Sequence, residues 1–398
     1  LIKDSKILVA DSNKKKSIAE IKDFKVFLSK KNFFDKEKVN ITKIVINDAN
    51  FSIVSGDLKL FNEFKNKKFS SNKIKIINSN VFFKDNLEEI ISIIKIDEAV
   101  LFFDIEKLLN FLNLRGEVFN MPFTFNLINH NNPTKYEKIH LSSKLLKLDV
   151  LNEFIVGKNR LINGENTISF LNSKINTKYN IKQKLIIFES INSRLNNSRV
   201  SYNGELSVNP FDLDLDIKLN NFKISKLFNI NSILAELVKS ELLFNDNISV
   251  NTSVEIDSEL KNEIFQNANI NFNIINGEIN FNNTRLVNNK IGSLELNNSN
   301  LYIKNNKLIL NMNVLIDIKN SDHLFSFLNT NKKMRKNIKN ILVNLDYDFF
   351  NNQIKFNNIK MDNKVFSDQS LSIINDNKFE NWNKNRQLLN ELFNIYEG

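Results

Sequence analysis

Apolar and polar residues alternate with a period of two along most of the chain. Between Phe211 and Leu219, every odd position is apolar and every even position is charged. Successive side chains of a β-strand point to opposite sides of the sheet, so this segment has one apolar and one polar face. An α-helix would spread the same residues around its circumference. The pattern therefore predicts a mainly β protein with antiparallel strands.

One hairpin is predicted with its register. Asn276-Gly277 is a preferred pair for a type I′ turn, because both central positions of that turn need a positive φ. Closing the turn places Ile274 opposite Ile279 and Phe272 opposite Phe281. Both pairs then lie on one face of the hairpin.

A second hairpin is predicted at Asn305-Asn306, since Asn tolerates the left-handed backbone region better than most residues. This turn places Ile303 opposite Leu308 and Leu301 opposite Leu310. The same apolar face continues along the second strand through Met312, Val314 and Ile316. Two hairpins whose registers both separate apolar from polar residues indicate a sheet with one apolar face.

A short motif recurs with irregular spacing: apolar-x-(Asp/Asn)-(Ser/Ala)-x-apolar-x-apolar. A small residue after Asp or Asn favours a bend or bulge between two strand segments. We therefore expect one structural unit used repeatedly along an elongated sheet. The copies span residues 2–9, 46–53, 76–83, 195–202, 265–272 and 296–303.

Helical patterns are few. The repetitive β domain is expected to span residues 1–375, with helical insertions near 104–114, 225–241 and 321–341. In the first of these, Asp104 is the candidate N-cap, with Ile105, Leu108 and Leu112 on one side. An amphipathic C-terminal helix is expected within 376–398.

Composition changes this picture little. The net charge of +10 includes the cluster Lys332–Lys336, but most lysines are scattered, which is typical of a solvated surface. No nucleic-acid-binding motif accompanies them, so no nucleic-acid partner is expected. The chain has no cysteine, which excludes disulfides and thiolate chemistry. No stretch is apolar for the ~18 residues that a membrane-spanning helix requires.

No catalytic or metal site is indicated. His130, His140 and His323 have no metal-ligand spacing. The series Asp212, Asp214 and Asp216 lacks the Gly and Glu of a calcium loop, and strand alternation would line it along a polar sheet face. Phosphate-binding loops and nucleophile elbows are also missing from the sequence. We therefore expect neither an enzyme nor a cofactor.

These features together resemble the AsmA-like family of bacterial envelope proteins. Residues 202–206 (Tyr-Asn-Gly-Glu-Leu), followed by Pro210-Phe211 and the alternating apolar residues up to Leu219, are similar to that family's "YxGxL…PFxLxLxxxL" passage. The recurring Asn-Ser/Ala motif looks like its strand repeats. The resemblance implies a curled sheet that forms an apolar groove. It also implies a periplasmic protein of outer-membrane biogenesis, related to bridge-like lipid-transfer proteins, whose inner-membrane anchor would precede Leu1.

The expected function is to carry or guide phospholipid, or another acyl-chain lipid, along that groove, with envelope proteins as further partners. Two alternatives stay open: a structural scaffold of the envelope with a filled core, and an extracellular β adhesin. Alternation is the same for an open face and for a closed core. The candidate groove residues are Leu213, Leu215, Ile217, Leu219, Phe272, Ile274, Ile279, Phe281, Leu301, Ile303, Leu308, Leu310 and Met312.

Overall fold

The computed structural model of the chain describes most of its length. The described residues are 1–11, 14–29, 40–54, 67–85, 89–130, 134–157, 161–196, 198–208, 210–224, 248–258, 264–305, 307–349, 351 and 353–375, together with Phe244, Arg386, Gln387, Leu389, Asn390 and Phe393. For residues 7–11 and 14–17 the description is limited to the backbone. The helix expected at 225–241 lies outside the described residues, as does most of the segment 376–398.

The chain divides into two compact units, residues 1–183 and 184–398. The strands of the first unit are β1 Ile2–Asp11, β2 Lys14–Leu28, β3 Ile41–Val54, β4 Lys73–Lys84, β5 Ile90–Asp104, β6 Leu109–Val118, β7 Met121–His130, β8 Lys135–Ser143, β9 Leu148–Val156, β10 Ile162–Phe170 and β11 Ser173–Lys182. The strands of the second unit are β12 Leu185–Ser190, β13 Ser193–Leu195, β14 Ser198–Val208, β15 Phe211–Asn220, β16 Ile248–Asp257, β17 Asn267–Ile275, β18 Glu278–Asn280, β19 Thr284–Asn288, β20 Gly292–Lys304, β21 Lys307–Ile318, β22 Asn340–Asp348, β23 Gln353–Met361 and β24 Lys364–Val365. With 71% of residues in strands, the predicted mainly β fold is confirmed.

Most strands pair with the strands that precede and follow them in the sequence; in the second unit, however, β12 and β13 both pair with β14, and β18 and β19 both pair with β17 and β20. In the first unit every described pairing from β1 to β11 is antiparallel except β3 with β4. In the second unit the described exception is β15 with β16. Parallel neighbours require a connection that crosses the sheet. The described parallel pair of each unit therefore implies a crossover, within 55–72 in the first unit and 221–247 in the second, which the sequence pattern did not predict; most residues of both segments lie outside the described part of the chain.

Both predicted hairpin registers are confirmed. Ile274 pairs with Ile279 around Asn276 and Gly277, whose φ angles are 50° and 73°. The Phe272 and Phe281 rings pack with their centroids 5.3 Å apart. In the second hairpin, Leu301 pairs with Leu310 and Ile303 with Leu308.

The recurring motif forms the bends that its composition indicates. In four copies the Asp or Asn has a positive φ, and the strand registers skip or shift at these positions. The small residue that follows is buried in five copies. The residues at positive φ are Asp4, Asp48, Asn78 and Asn298, and the buried small residues are Ala49, Ser79, Ser198, Ala268 and Ser299.

One predicted helix is wrong and another is shorter than expected. Residues 104–114 form the end of β5, a turn and the start of β6, with Leu108 at a φ of 56° in the turn. Within 321–341, α1 spans Ser321–Leu328, and a 3-10 helix spans Lys332–Met334. A further helix, α2 Asp368–Asn375, was not predicted. The five described residues after position 385 are all helical.

The sheet of each unit has one apolar and one polar face. On the polar face, asparagine side chains form hydrogen bonds across strands, as between Asn80 and Asn50 at 3.1 Å. Ion pairs do the same: Glu98 on β5 contacts Lys75 on β4 at 2.7 Å and Arg115 on β6 at 2.6 Å. The hydrogen bonds from these two cations hold the pKa of Glu98 below its usual range.

Candidate functional site

The candidate site is the apolar face of the second unit. All thirteen candidate residues lie on this face, because the registers connect them from β15 through β16, β17, β18 and β20 to β21. Asp212, Asp214 and Asp216 point to the opposite, polar face and are exposed. The alternation that the sequence displays is thus the alternation of the folded strand.

The thirteen residues differ in how far they are covered. Ile303 is 38% exposed. The buried members are Leu219, Ile274, Ile279, Leu301, Leu308 and Leu310. The half-buried members are Leu213, Leu215, Ile217, Phe272, Phe281 and Met312. The face is therefore covered at some positions and accessible at others.

Crossover segments cover part of the apolar face in both units. In the second unit, Phe222 and Ile224 pack against Leu219, and Phe244 packs on the cluster around Ile274 and Leu301. In the first unit, Phe69 is buried, and its backbone N–H donates to Asn110 Oδ1 at 2.8 Å. Asn110 Nδ2 in turn donates to the Lys67 carbonyl at 2.9 Å. A chain that joins two parallel strands must pass over one face of the sheet, and the described residues of both connections lie on the apolar face.

Helices cover the C-terminal part of the face. α1 and α2 contribute Phe325, Leu328, Leu371 and Ile374 to a cluster with Ile341 and other residues of β21–β23. Phe393 joins the same cluster, with its ring centroid 5.1 Å from that of Phe325. This end of the face is a closed hydrophobic core.

In each unit, part of the apolar face has no buried apolar side chain among its described residues. Among the described residues between Leu127 and Leu219, no apolar side chain is buried, although β8–β11 in the first unit and β12–β15 in the second have one-sided apolar patterns. In the first unit the accessible positions include Val150, Ile168 and Ile175, which the registers place side by side. In the second unit Leu215 is half-buried and belongs to none of the described hydrophobic clusters, whereas Leu213 and Ile217 pack against the clusters that include Phe244 and Ile224.

The uncovered face of the first unit also has polar groups, which the sequence pattern did not single out. Tyr179 Oη donates to Asn152 Oδ1 at 2.9 Å, and its ring lies over Gly164, where a Cβ would stand 2.2 Å from the ring. Burial raises the pKa of Tyr179. Asn129 and Glu137, on the neighbouring strands β7 and β8, are buried on the same face. The position of Asn129 and Glu137 on this face depends on the pairing register of their strands, which the alternation of apolar and polar residues does not determine.

In the described part of the chain, no group of three or more His, Cys, Asp or Glu side chains has the arrangement of a metal site. None of the described helices is long and apolar enough to cross a bilayer. The site is thus defined by apolar surface.

Comparisons with known proteins add no relative to this description. A scan against models of protein families, a search of curated proteins and a search of solved structures each found no match to the chain.

Proposed function

We propose that the chain carries or guides phospholipid, or another acyl-chain lipid, along its uncovered apolar sheet face. The observation that supports this function is made in each unit separately: apolar side chains of β8–β11 in the first unit, and Leu215 of β15 in the second, are half-buried or exposed. A folded chain normally removes such a face from water, since each Å² of buried apolar surface contributes about 25 cal/mol. An exposed face of this extent is typical of a surface that binds an apolar ligand.

An acyl chain fits this face because it needs apolar contact and no directional hydrogen bonds. The face offers a row of branched aliphatic side chains, such as Val150, Ile168 and Ile175, with the occasional aromatic ring. The polar groups around Asn152 and Tyr179 supply hydrogen-bonding partners at one position on it. The arrangement suits an amphiphile better than a wholly polar ligand.

The setting we propose is the bacterial envelope. The chain would act as an AsmA-like periplasmic protein of outer-membrane biogenesis, anchored to the inner membrane and working with envelope protein partners. The motif that supports this resemblance, residues 202–219, forms the hairpin β14–β15. Leu215 of this hairpin lies on the apolar sheet face and is half-buried, and it is the position where lipid contact is proposed.

Photocrosslinking tests the lipid contact directly. The chain has no cysteine, so a cysteine introduced at Leu215 can carry a benzophenone as a unique label. After incubation with phospholipid vesicles, we expect lipid adducts from position 215. Asp214, on the opposite face of the same strand, and Ile274, which is 0% exposed, are the matched controls. Equal labelling from 214 and 215, or none from 215 in the folded protein, would contradict lipid contact.

A structural role in the envelope, without transport, is the second candidate. The observation that favours it is the closed core formed by α1, α2 and β21–β23, which resembles ordinary protein interior. A scaffold leaves the uncovered face for a protein partner. The same crosslinking experiment then yields no lipid adduct at position 215.

A further inference from the structure

One edge of the first unit's sheet has large apolar side chains at the tips of successive turns. In an antiparallel meander, alternate turns return to the same edge, so the β6–β7, β8–β9 and β10–β11 turns lie side by side. Phe119, Leu145 and Leu171 occupy these turns and are 67%, 64% and 60% exposed. Ile91, 54% exposed, lies beside the first of them, because Ile94 pairs with Val118 just before the turn. We call these four residues the turn rim.

Two turn-rim residues have a backbone conformation that disfavours them. Phe119 and Leu171 have φ angles of 49° and 51°. Of the 18 non-glycine residues at positive φ in the described chain, 13 are Asn or Asp, as steric and hydrogen-bonding preferences require. An apolar residue at such a turn is strained and also exposed to water. Leu108 has the same conformation in the β5–β6 turn, so the strain alone does not single out the turn rim; the turn rim differs in bringing the exposed tips of three successive turns to one edge.

Lysines accompany the apolar tips. Leu145 is flanked in its turn by the exposed residues Lys144 and Lys147, and the Lys147 carbonyl accepts a hydrogen bond of 3.2 Å from the Leu171 N–H. The nearby carboxylates have partners: Asp149 contacts His140 at 2.7 Å and Glu117 contacts Lys95 at 3.1 Å. The two lysines of the turn are thus available to groups outside the protein.

From these observations we infer that the turn rim is a membrane-contact surface, which inserts its apolar tips into the interface of a bilayer containing anionic lipid. Separate protruding side chains need no matching pockets in a fluid bilayer, whereas a protein partner would have to provide one for each tip. The apolar tips can bury themselves at the boundary between headgroups and acyl chains, and the lysines beside them are attracted to anionic headgroups. This contact is independent of lipid binding on the sheet face, because it involves a bilayer surface and other residues.

Vesicle co-sedimentation tests the inference with variants that keep the fold. The test variant is Phe119→Asn with Leu171→Asn. Asn is favoured at positive φ, so the thermal midpoint should stay the same or rise. Binding to vesicles of phosphatidylglycerol and phosphatidylethanolamine should fall by at least about tenfold. Leu108→Asn is the matched control, since Leu108 is 59% exposed at a φ of 56° in the β5–β6 turn, at the opposite edge. Its vesicle binding should equal that of the parent chain.

Three results would overturn the inference: no binding of the parent chain to these vesicles, unchanged binding of the double variant, or an equal loss in Leu108→Asn. Sedimentation velocity tests whether the turn rim binds a second copy of the chain instead of a bilayer. A parent dimer that becomes monomeric in the double variant, without any vesicle binding, would assign the turn rim to self-association. A polarity-sensitive dye on a single cysteine at position 145 supplies a second measurement. Its emission should shift to the blue with vesicles, and the same dye at position 108 should not respond.

Discussion

At the scale of single residues, asparagine and the small residue after it shape the sheet. Asn298 takes the left-handed conformation at a bulge of β20, and Ser299 turns inward, 3% exposed. Ser299 Oγ accepts the Phe281 N–H at 2.7 Å and donates to Asn282 Oδ1 at 3.1 Å. The serine thereby satisfies a backbone group that the bulge leaves outside the regular strand pairing. Alanine at this position would leave the Phe281 N–H without its partner.

The first prediction concerns this contact. Ser299→Ala should lower the free energy of unfolding of the second unit by about 1–3 kcal/mol, the cost of an unsatisfied buried donor. Ser253→Ala, which removes a longer bond of 3.3 Å to Asn269 on an exposed part of the sheet, should change it by less than about 0.5 kcal/mol. Urea denaturation of both variants measures the difference. Similar small losses in the two variants would show that Ser299 serves only as a small residue.

Residue-level patterns predict hairpins well and strand-to-turn boundaries poorly. Asn276-Gly277 fixes its register, because few other sequences favour two successive positive φ angles. The segment after Asp104 shows the opposite case. Ile105, Leu108 and Leu112 have helical spacing, yet Leu108 lies in a tight turn and Leu112 on the apolar face of β6. The helical spacing arose because a turn residue, Leu108, precedes a strand with alternating apolar residues. The spacing of apolar residues alone does not distinguish this arrangement from a helix.

At the scale of elements, the two crossovers are the main feature that the sequence did not predict. Apolar and polar residues alternate with a period of two in a strand whether its neighbour is parallel or antiparallel. The sequences of β3, β4, β15 and β16 therefore do not show that these strands form parallel pairs. Asn110 shows how one crossover is held. Its amide bonds Phe69, Lys67 and Asn129 at 2.8–2.9 Å, at a position only 3% exposed.

The second prediction tests this attachment. Asn110→Ala should release the end of the crossover, so the Phe69 amide should exchange with deuterium at least about tenfold faster, which corresponds to the loss of one buried hydrogen bond. Asn113→Ala on the same strand removes an exposed side chain that bonds Asn126, and it should leave Phe69 unaffected. Exchange measured by mass spectrometry on peptides containing Phe69 provides the readout. Equal protection in both variants would show that the crossover is held by other contacts.

At the scale of the whole molecule, the question is which parts of the apolar surface the chain itself covers. Alternation predicted that the thirteen candidate residues share a face, and they do. It did not predict that Ile274 and Leu308 are buried while Leu215 is accessible, because burial depends on crossovers and helices that come from distant parts of the sequence. The accessible stretch is thus a property of the tertiary fold, and the proposed lipid binding depends on it.

Native mass spectrometry of the chain, purified without detergent from bacterial cells, tests this proposal most directly. We expect species that carry one or more phospholipids, and Leu215→Lys with Ile168→Lys should reduce the lipid-bound fraction several-fold, since each places a charge on the accessible apolar face. Lys218→Leu, on the polar face of β15, is the control for a change of charge and should keep its lipid. A lipid-free parent chain that remains free after incubation with phospholipid vesicles, or equal occupancy in all variants, would contradict lipid binding on this face.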